Sequence, residues 1–226
     1  NAAQNSYTHG GAISFSEKLN VEYTPISEMR IRARIGFTRT DSKSEAFVSP
    51  SDSRYATTEY TKRGQYTNSK SYTNKYEGEL TITYGKTFNE VHLVNLAAGG
   101  YLSQSDYKSD GYSTIGFPVG DYTLPSFSNG YPEGGSPSYY ESTSRSVSSY
   151  IIGNYSFDNR YLIDFSYRLN GSNSFGRTKQ FIGTWALGLA WNLHREKFIK
   201  ENFEGVSMLK FRGSIGNPGN QSSRKT

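Results

Sequence analysis

Residues 155–169 read YSFDNRYLIDFSYRL. Tyr155, Phe157, Tyr161, Ile163, Phe165, Tyr167 and Leu169 recur at every second position, with Ser156, Asp164, Ser166 and Arg168 among the intervening ones. A period of two is that of a strand with one apolar and one polar face. Asp158-Asn159-Arg160 interrupts it, and Asp and Asn tolerate the backbone of a tight turn. The stretch therefore predicts an antiparallel hairpin with one dry face.

The same alternation extends in both directions. Upstream, Ile13, Phe15, Leu19, Val21 and Tyr23 form a first segment, closed by Pro25-Ile26-Ser27-Glu28. Met29, Ile31, Ala33, Ile35 and Phe37 follow, with Arg30, Arg32, Arg34 and Thr38 opposite. A third segment carries Tyr76, Leu80, Ile82 and Tyr84 against Glu77, Glu79, Thr81 and Thr83. After Phe88-Asn89-Glu90, a fourth runs from Val91 to Leu102. Val147, Ile151, Tyr155 and Phe157 make the fifth, and Tyr161 to Leu169 the sixth. Downstream, Phe181, Trp185, Leu187, Leu189, Trp191 and Leu193 make the seventh; Leu209, Phe211 and Ile215 the eighth, with Lys210, Arg212 and Ser214 opposite. Between these two, residues 195–200 suit one or two helical turns. The polar stretches Asp41–Asn74 and Ser103–Ser144 are expected to be long loops, and Gly171–Gln180 a shorter one.

The connections decide between architectures. Connections 1–2, 3–4 and 5–6 are tight; 2–3, 4–5 and 6–7 are longer; 7–8 alone lengthens the tight end. In an antiparallel meander alternate connections share an end, so this parity sorts short turns from long loops, the mark of an outer-membrane barrel. Segments of roughly 9–14 residues suit tilted membrane strands of about 9–11. A soluble sandwich has shorter strands and no reason to sort its loops. Tyr23, Tyr84, Phe157, Tyr161 and Trp191 fall at the tight-turn end of the apolar faces, and Phe37, Tyr76 and Phe181 toward the other, as interfacial girdles do. The apolar faces are almost free of charge; Glu17 is the exception. The expected fold is all-β: an antiparallel meander of about eight long strands.

Composition agrees. The chain has 226 residues, no Cys, 34% hydrophobic and 15% aromatic residues. That is aliphatic-poor for a packed interior, yet too aromatic for a disordered chain. No apolar window is long enough for a transmembrane helix, which leaves a membrane β-barrel open. The net charge of +5 is too diffuse to name an acidic partner.

The ordered motifs resemble a known family. Tyr155 to Tyr161-Leu162, then Arg168-Leu169-Asn170-Gly171-Ser172, then Phe175-Gly176, is similar to the signature of SusC/RagA-like TonB-dependent outer-membrane transporters of Bacteroidetes. Ala190-Trp191 followed by Glu196-Lys197-Phe198 resembles that family's next motif. Leu209 to Gly216, with Gly219-Asn220-Gln221, resembles its following strand and loop. Leu19 to Pro25 with Met29 to Arg32 looks like an earlier hairpin. Asn170 stands where the family usually has Asp, and Ser174 where it often has Arg. The specific matches cover roughly residues 155–221. The resemblance implies a 22-stranded barrel in the bacterial outer membrane, with an N-terminal plug, a SusD-like lipoprotein lid, energy from the TonB complex, and a large nutrient, glycan or peptide, as ligand. Residues 1–226 are then expected to be a partial barrel domain without plug or final strand, an internal piece of the wall with open first and eighth edges. The other partner expected is outer-membrane lipid; no nucleic acid and no cofactor are.

Residue chemistry offers no catalytic centre, and no enzyme is expected. His9, His92 and His194 lack ligand spacing. No nucleophile elbow or phosphate loop occurs. Glu77 and Glu79 share a strand face about 7 Å apart, a separation compatible with glycoside hydrolysis, but also with a polar lumen wall. The Arg30-Arg32-Arg34 stripe reads as nucleic-acid contact or, better, as the same wall. Asp106–Asp110 lacks the spacing of a calcium loop. Arg32, Arg34, Glu79, Thr81, Arg168 and Lys210 are expected to face the lumen. The loop aromatics Tyr107, Tyr112, Phe117, Tyr122, Phe127, Tyr131, Tyr139 and Tyr140 are candidates for ligand contact; they could equally pack the loop on itself. The competing functions are a transporter wall, a soluble β-sandwich carbohydrate-binding module and, remotely, a β-sheet hydrolase.

Overall fold

Phe157 and Arg160 close a two-residue turn through Arg160 N–H to Phe157 C=O, 2.8 Å, with Asp158 and Asn159 at φ of 48° and 52°. Positive φ at both central positions gives the backbone twist that two paired strands need. Asn89 and Glu90 do the same, at 47° and 62°, with Val91 donating to Phe88. These turns punctuate a computed structural model that describes residues 6–173, 181–203 and 205–217.

The described strands are β1 (Tyr7–Ile26), β2 (Met29–Val48), β3 (Gln65–Phe88), β4 (His92–Ile115), β5 (Ser138–Phe157), β6 (Tyr161–Ser172), β7 (Phe181–Trp191) and β8 (Phe211–Asn217), with one six-residue helix, α1 (Lys197–Asn202). They form a single sheet in strict sequence order, β1 to β8. The expected meander and the helical turns between the last two strands are both present.

The chain divides into two units. One comprises Lys18–Gly36, Tyr76–Gln104 and Ser144–Thr226. Its three tight turns and the longer β7–β8 connection are linked to neighbouring strands and turns by backbone hydrogen bonds: Gly85 to Glu28 at 2.9 Å, Asp158 to Val91 at 2.6 Å and Asn192 to Arg160 at 2.8 Å. Register fixes its faces. Phe157, Tyr161, Trp191 and Phe211 pair in one row across β5 to β8; Tyr155, Ile163 and Leu189 in the next; Phe165, Leu187 and Ile215 in the third. Phe157, Tyr161 and Trp191 stack at centroid separations of 6.2 and 6.0 Å. The alternate rows hold Asn154, Asp164, Gly188 and Ser214, and Tyr150, Arg168 and Thr184. Ile163, Phe165, Leu187 and Leu189 are exposed, as are Ile35 and Leu80 at the same phase on β2 and β3. No second layer of sheet covers them among the described residues. A contiguous uncovered apolar face of this kind calls for a nonaqueous neighbour.

The other unit comprises Asn1–Glu17, Phe37–Lys75 and Ser105–Thr143. Here the expected long loops are corrected. β2 and β4 run on to Val48 and Ile115, and β3 and β5 begin at Gln65 and Ser138, so the irregular connections shrink to residues 49–64 and 116–137. Strand pairing is a backbone property and needs no apolar face. Polar side chains meet across these extensions: Ser14 with Thr40 and Ser16 with Thr38, each at 3.0 Å, and Thr67 with Ser113 at 3.0 Å. Losing the apolar alternation marks where the apolar band ends, not where the strand ends. Strands β1 to β5 are accordingly 20 to 24 residues long. A small core of Phe47, Tyr66 and Phe117 supplies the only buried hydrophobic side chains among the described residues.

Candidate ligand wall and loop surface

The polar face begins with the basic stripe of β2. Arg30 and Arg32 converge on Glu22, at 3.2 and 3.1 Å. Arg34 donates to Asn20 at 2.9 Å and to Glu79 at 3.3 Å. Charges that alternate across three strands are each held by a neighbour, and all are exposed, so they contribute little stability and keep the face hydrated. Arg32, Arg34 and Glu79 are thus brought together. Thr81, two residues on, meets the Tyr150 hydroxyl at 3.1 Å. Arg168 stands opposite Tyr150 and Thr184 in the register and donates to Asn170 Oδ1 at 2.9 Å; the amide oxygen at this departure from the family motif still accepts from the arginine. Lys210 lies just before β8, which starts at Phe211, and Arg212 and Ser214 stand on the polar face opposite Ala190 and Gly188.

Glu77 and Glu79 stand side by side rather than across a cleft. Glu77 accepts from the Tyr101 hydroxyl at 2.6 Å, while Glu79 is taken by Arg34. With Lys18, Gly36 and Gly78 these groups line a recess of about 120 Å³, room for a few waters or a small polar group.

The eight aromatics separate into three groups. Phe117 is 1% exposed, edge-on to Phe47 at 5.1 Å, and Tyr112 packs against the same cluster. Their rings hold the connections together, helped by Gly116 N–H to Gly64 C=O and Phe117 N–H to Arg63 C=O. Tyr107 and Tyr140 lie on β4 and β5, not on a loop, with ring centroids 6.0 Å apart; Tyr139 donates to Glu141 at 2.8 Å. Of the eight, Tyr122, Phe127 and Tyr131 are the ones exposed on the 116–137 connection, with Tyr122 edge-on to Phe127 at 5.1 Å.

Sequence reasoning gave no role to Glu196. Its carboxylate is 8% exposed and accepts from Tyr161 Oη at 2.8 Å, Trp191 Nε1 at 2.9 Å and Arg160 at 3.2 Å. The indole and phenol donors, then the guanidinium, hold its pKa below the ordinary carboxylate range, against the opposing effect of desolvation. It ties the β7–β8 connection to the stacked aromatic row. The signal lay in the Trp191…Glu196 spacing, which acquires meaning only once Tyr161 is known to pair with Trp191.

No family model matches the chain. It is 29% identical over 147 residues to TonB-dependent receptor P39 of Formosa agariphila and 28% identical over 149 residues to TonB-dependent receptor P3 of the same organism, covering 65% and 64% of this chain. The RagAB peptide transporter superimposes over 95% of the chain with a TM-score of 0.78 at 20% identity, and the RagAB peptide importer in its 'closed-closed' state gives 0.75. The chain resembles the SusC/RagA-like TonB-dependent transporters. Its sheet has the fold of a stretch of the β-barrel wall in the RagAB structures. The chain spans 14% of the length of the curated receptors and 23% of the RagAB chain. Within the SusC/RagA-like motifs, Glu196 and Trp191 form the aromatic lock just described. Ser174, Phe175, Gly176 and Gly219-Asn220-Gln221 lie outside the described residues.

Proposed function

We propose that this chain forms part of the wall of a TonB-dependent importer of large nutrients, glycans or peptides. The polar face lines the lumen and the apolar face meets lipid. The observation that carries this reading is the register across β5 to β8, which puts whole rows of aliphatic and aromatic side chains on one face with no second layer over them among the described residues. A soluble carbohydrate-binding sandwich would bury those rows between two sheets.

On this reading Arg32, Arg34, Glu79, Thr81 and Arg168 hydrate the lumen side, and ion pairs between neighbouring strands keep that side from collapsing onto itself. The exposed aromatics Tyr122, Phe127 and Tyr131 offer ring faces with polar edges to the ligand or to a SusD-like lipoprotein lid. Phe117 and Tyr112 serve by making that surface rigid. Between the ligand classes, a peptide has the support of the RagAB comparison, whose solved structures are described as a peptide transporter and importer. Energy is supplied through TonB to the intact protein.

The test replaces Tyr122, Phe127 and Tyr131 together by Ser in the intact barrel and measures uptake of labelled oligopeptides and oligosaccharides, with assembly followed by heat-modifiable gel mobility. Assembled barrel with uptake of one ligand class lowered is expected. Unchanged uptake of both classes would remove this surface from the import path.

A further inference from the structure

The β7–β8 connection differs from the three tight turns of its unit. Those turns present Ser27 and Glu28, Asn89 and Glu90, and Asp158 and Asn159 at their tips. The β7–β8 connection instead holds Phe198, Phe203, Val206 and Met208, all exposed. It is a closed loop: His194 N–H donates to the Leu209 carbonyl at 3.1 Å. Within it, Phe203 N–H donates to Ile199 C=O at 2.9 Å and Val206 N–H to Phe203 C=O at 3.1 Å, so α1 and the chain after it form one ordered piece. Aromatic and aliphatic side chains gathered in the open on one short loop mark a contact surface.

Glu196 fixes the side of the sheet on which this loop begins. Its Oε1 accepts from Tyr161 and Trp191, both in the stacked row of the apolar face. Arg160 donates to its Oε2, and the guanidinium lies 5.8 and 5.7 Å from the Phe157 and Tyr161 ring centroids, over the same row. α1 starts at the next residue, so Lys197 leaves the sheet at the rim of the apolar face, and every residue named here belongs to one unit. Arg160 meets the charge of Glu196. Arg195, Lys197 and Lys200 are exposed along the loop. Glu201 and Glu204 offset two of these three cations, so charge selects no anionic partner. Position and apolar exposure do the selecting.

We propose that the β7–β8 connection is an interfacial anchor. Phe198 and Phe203 enter the boundary between headgroups and acyl chains of the phospholipid around the tight-turn rim, and Lys197 and Lys200 keep their ammonium groups at headgroup level. Glu196 is the positioning residue that seats the loop there. This role depends on the assignment of the apolar face to lipid. Continuity with the Phe157, Tyr161 and Trp191 row of the same unit selects phospholipid over a water-borne protein partner, because the loop leaves the sheet where that row ends.

The chain has no Cys, so Phe198→Cys, Phe203→Cys and Leu187→Cys in the intact barrel can each carry a fluorescent label. The labelled barrels are placed in nanodiscs of phosphatidylethanolamine and phosphatidylglycerol brominated either near the headgroup or near the chain end, and aqueous iodide serves as the opposing quencher. Bromine near the headgroup should quench the labels at 198 and 203 about threefold or more, and iodide should quench them little. The label at 187 should respond to bromine near the chain end. A label at 187 untouched by either bromine would refute the face assignment and this role with it. Lipid quenching at 187 beside labels at 198 and 203 that respond to iodide, or to neither quencher, would overturn the anchor alone. Adding Glu196→Ala should move the label at 198 from bromine to iodide quenching while the label at 187 keeps its response, and Glu196→Gln, which retains an acceptor for Tyr161 and Trp191, should leave it in lipid. A label at 198 unmoved by Glu196→Ala would overturn the positioning role.

Discussion

Tyr150 reaches over β4 to place its hydroxyl 3.1 Å from that of Thr81 on β3. Gly99 lies beneath the ring, and a Cβ there would come within 2.6 Å of the Tyr150 ring and 2.8 Å of the Leu80 carbonyl. The glycine is therefore a socket: its missing side chain lets one aromatic bridge three strands on the polar face. Such a ring laid over a strand glycine shields backbone that would otherwise be bare.

Gly99→Ala should destabilise the barrel by about 1–3 kcal/mol, the usual effect of overpacking, because one of the two obstacles is backbone. Urea unfolding of the refolded intact barrel checks it. A variant as stable as wild type would show that the ring moves aside freely.

The two faces should respond oppositely to charge. Leu187 sits in a row with Phe165 and Ile215, while Ser166 pairs with Ile152 and Ala186 on the other face. Leu187→Arg should lose about 2–4 kcal/mol, as expected for a cation at the bilayer midplane, and fall in outer-membrane yield. Ser166→Arg should assemble near normally. Comparable yields from the two would contradict the face assignment.

The turn between β1 and β2 carries an acid-sensitive contact. The Ser27 hydroxyl, then Lys86 at 2.9 Å, pull the Glu28 carboxyl down to about 2 from an ordinary 4.5. A depressed carboxylate contributes stability that is present above its unfolded value and lost as pH falls through the folded one. Wild type and Glu28→Gln should thus differ in thermal stability at pH 6 and converge as pH falls from about 4.5 toward 2. A difference independent of pH would assign the effect to packing.

Much of this was legible in the sequence, for identifiable reasons. The Asp158-Asn159 turn announces itself because few residues accept positive φ, and the faces of β6 and β7 follow from strict alternation. The outer parts of β2 and β3 were hidden because Arg39, Asp41, Lys43, Asn68 and Lys70 take the positions that carry apolar side chains farther along the same strands, although the backbones there pair as well as any. Phe117 and Phe127 share one proline- and glycine-rich connection; which ring is buried depends on Phe47 and Tyr66, more than fifty residues away by roughly any count along the chain. Glu196 was visible only as part of a motif, since its partners Tyr161 and Arg160 reach it through strand pairing.

The central claim is that β7 alternates between lipid and water. The described chain has no Cys, so single cysteines at positions 184 to 189 of the intact barrel can be spin-labelled and their relaxation by lipid-soluble oxygen compared with that by a water-soluble nickel chelate. Oxygen should dominate at Trp185, Leu187 and Leu189, and the chelate at Thr184, Ala186 and Gly188. An even profile along the strand, or the opposite phase, would contradict the account.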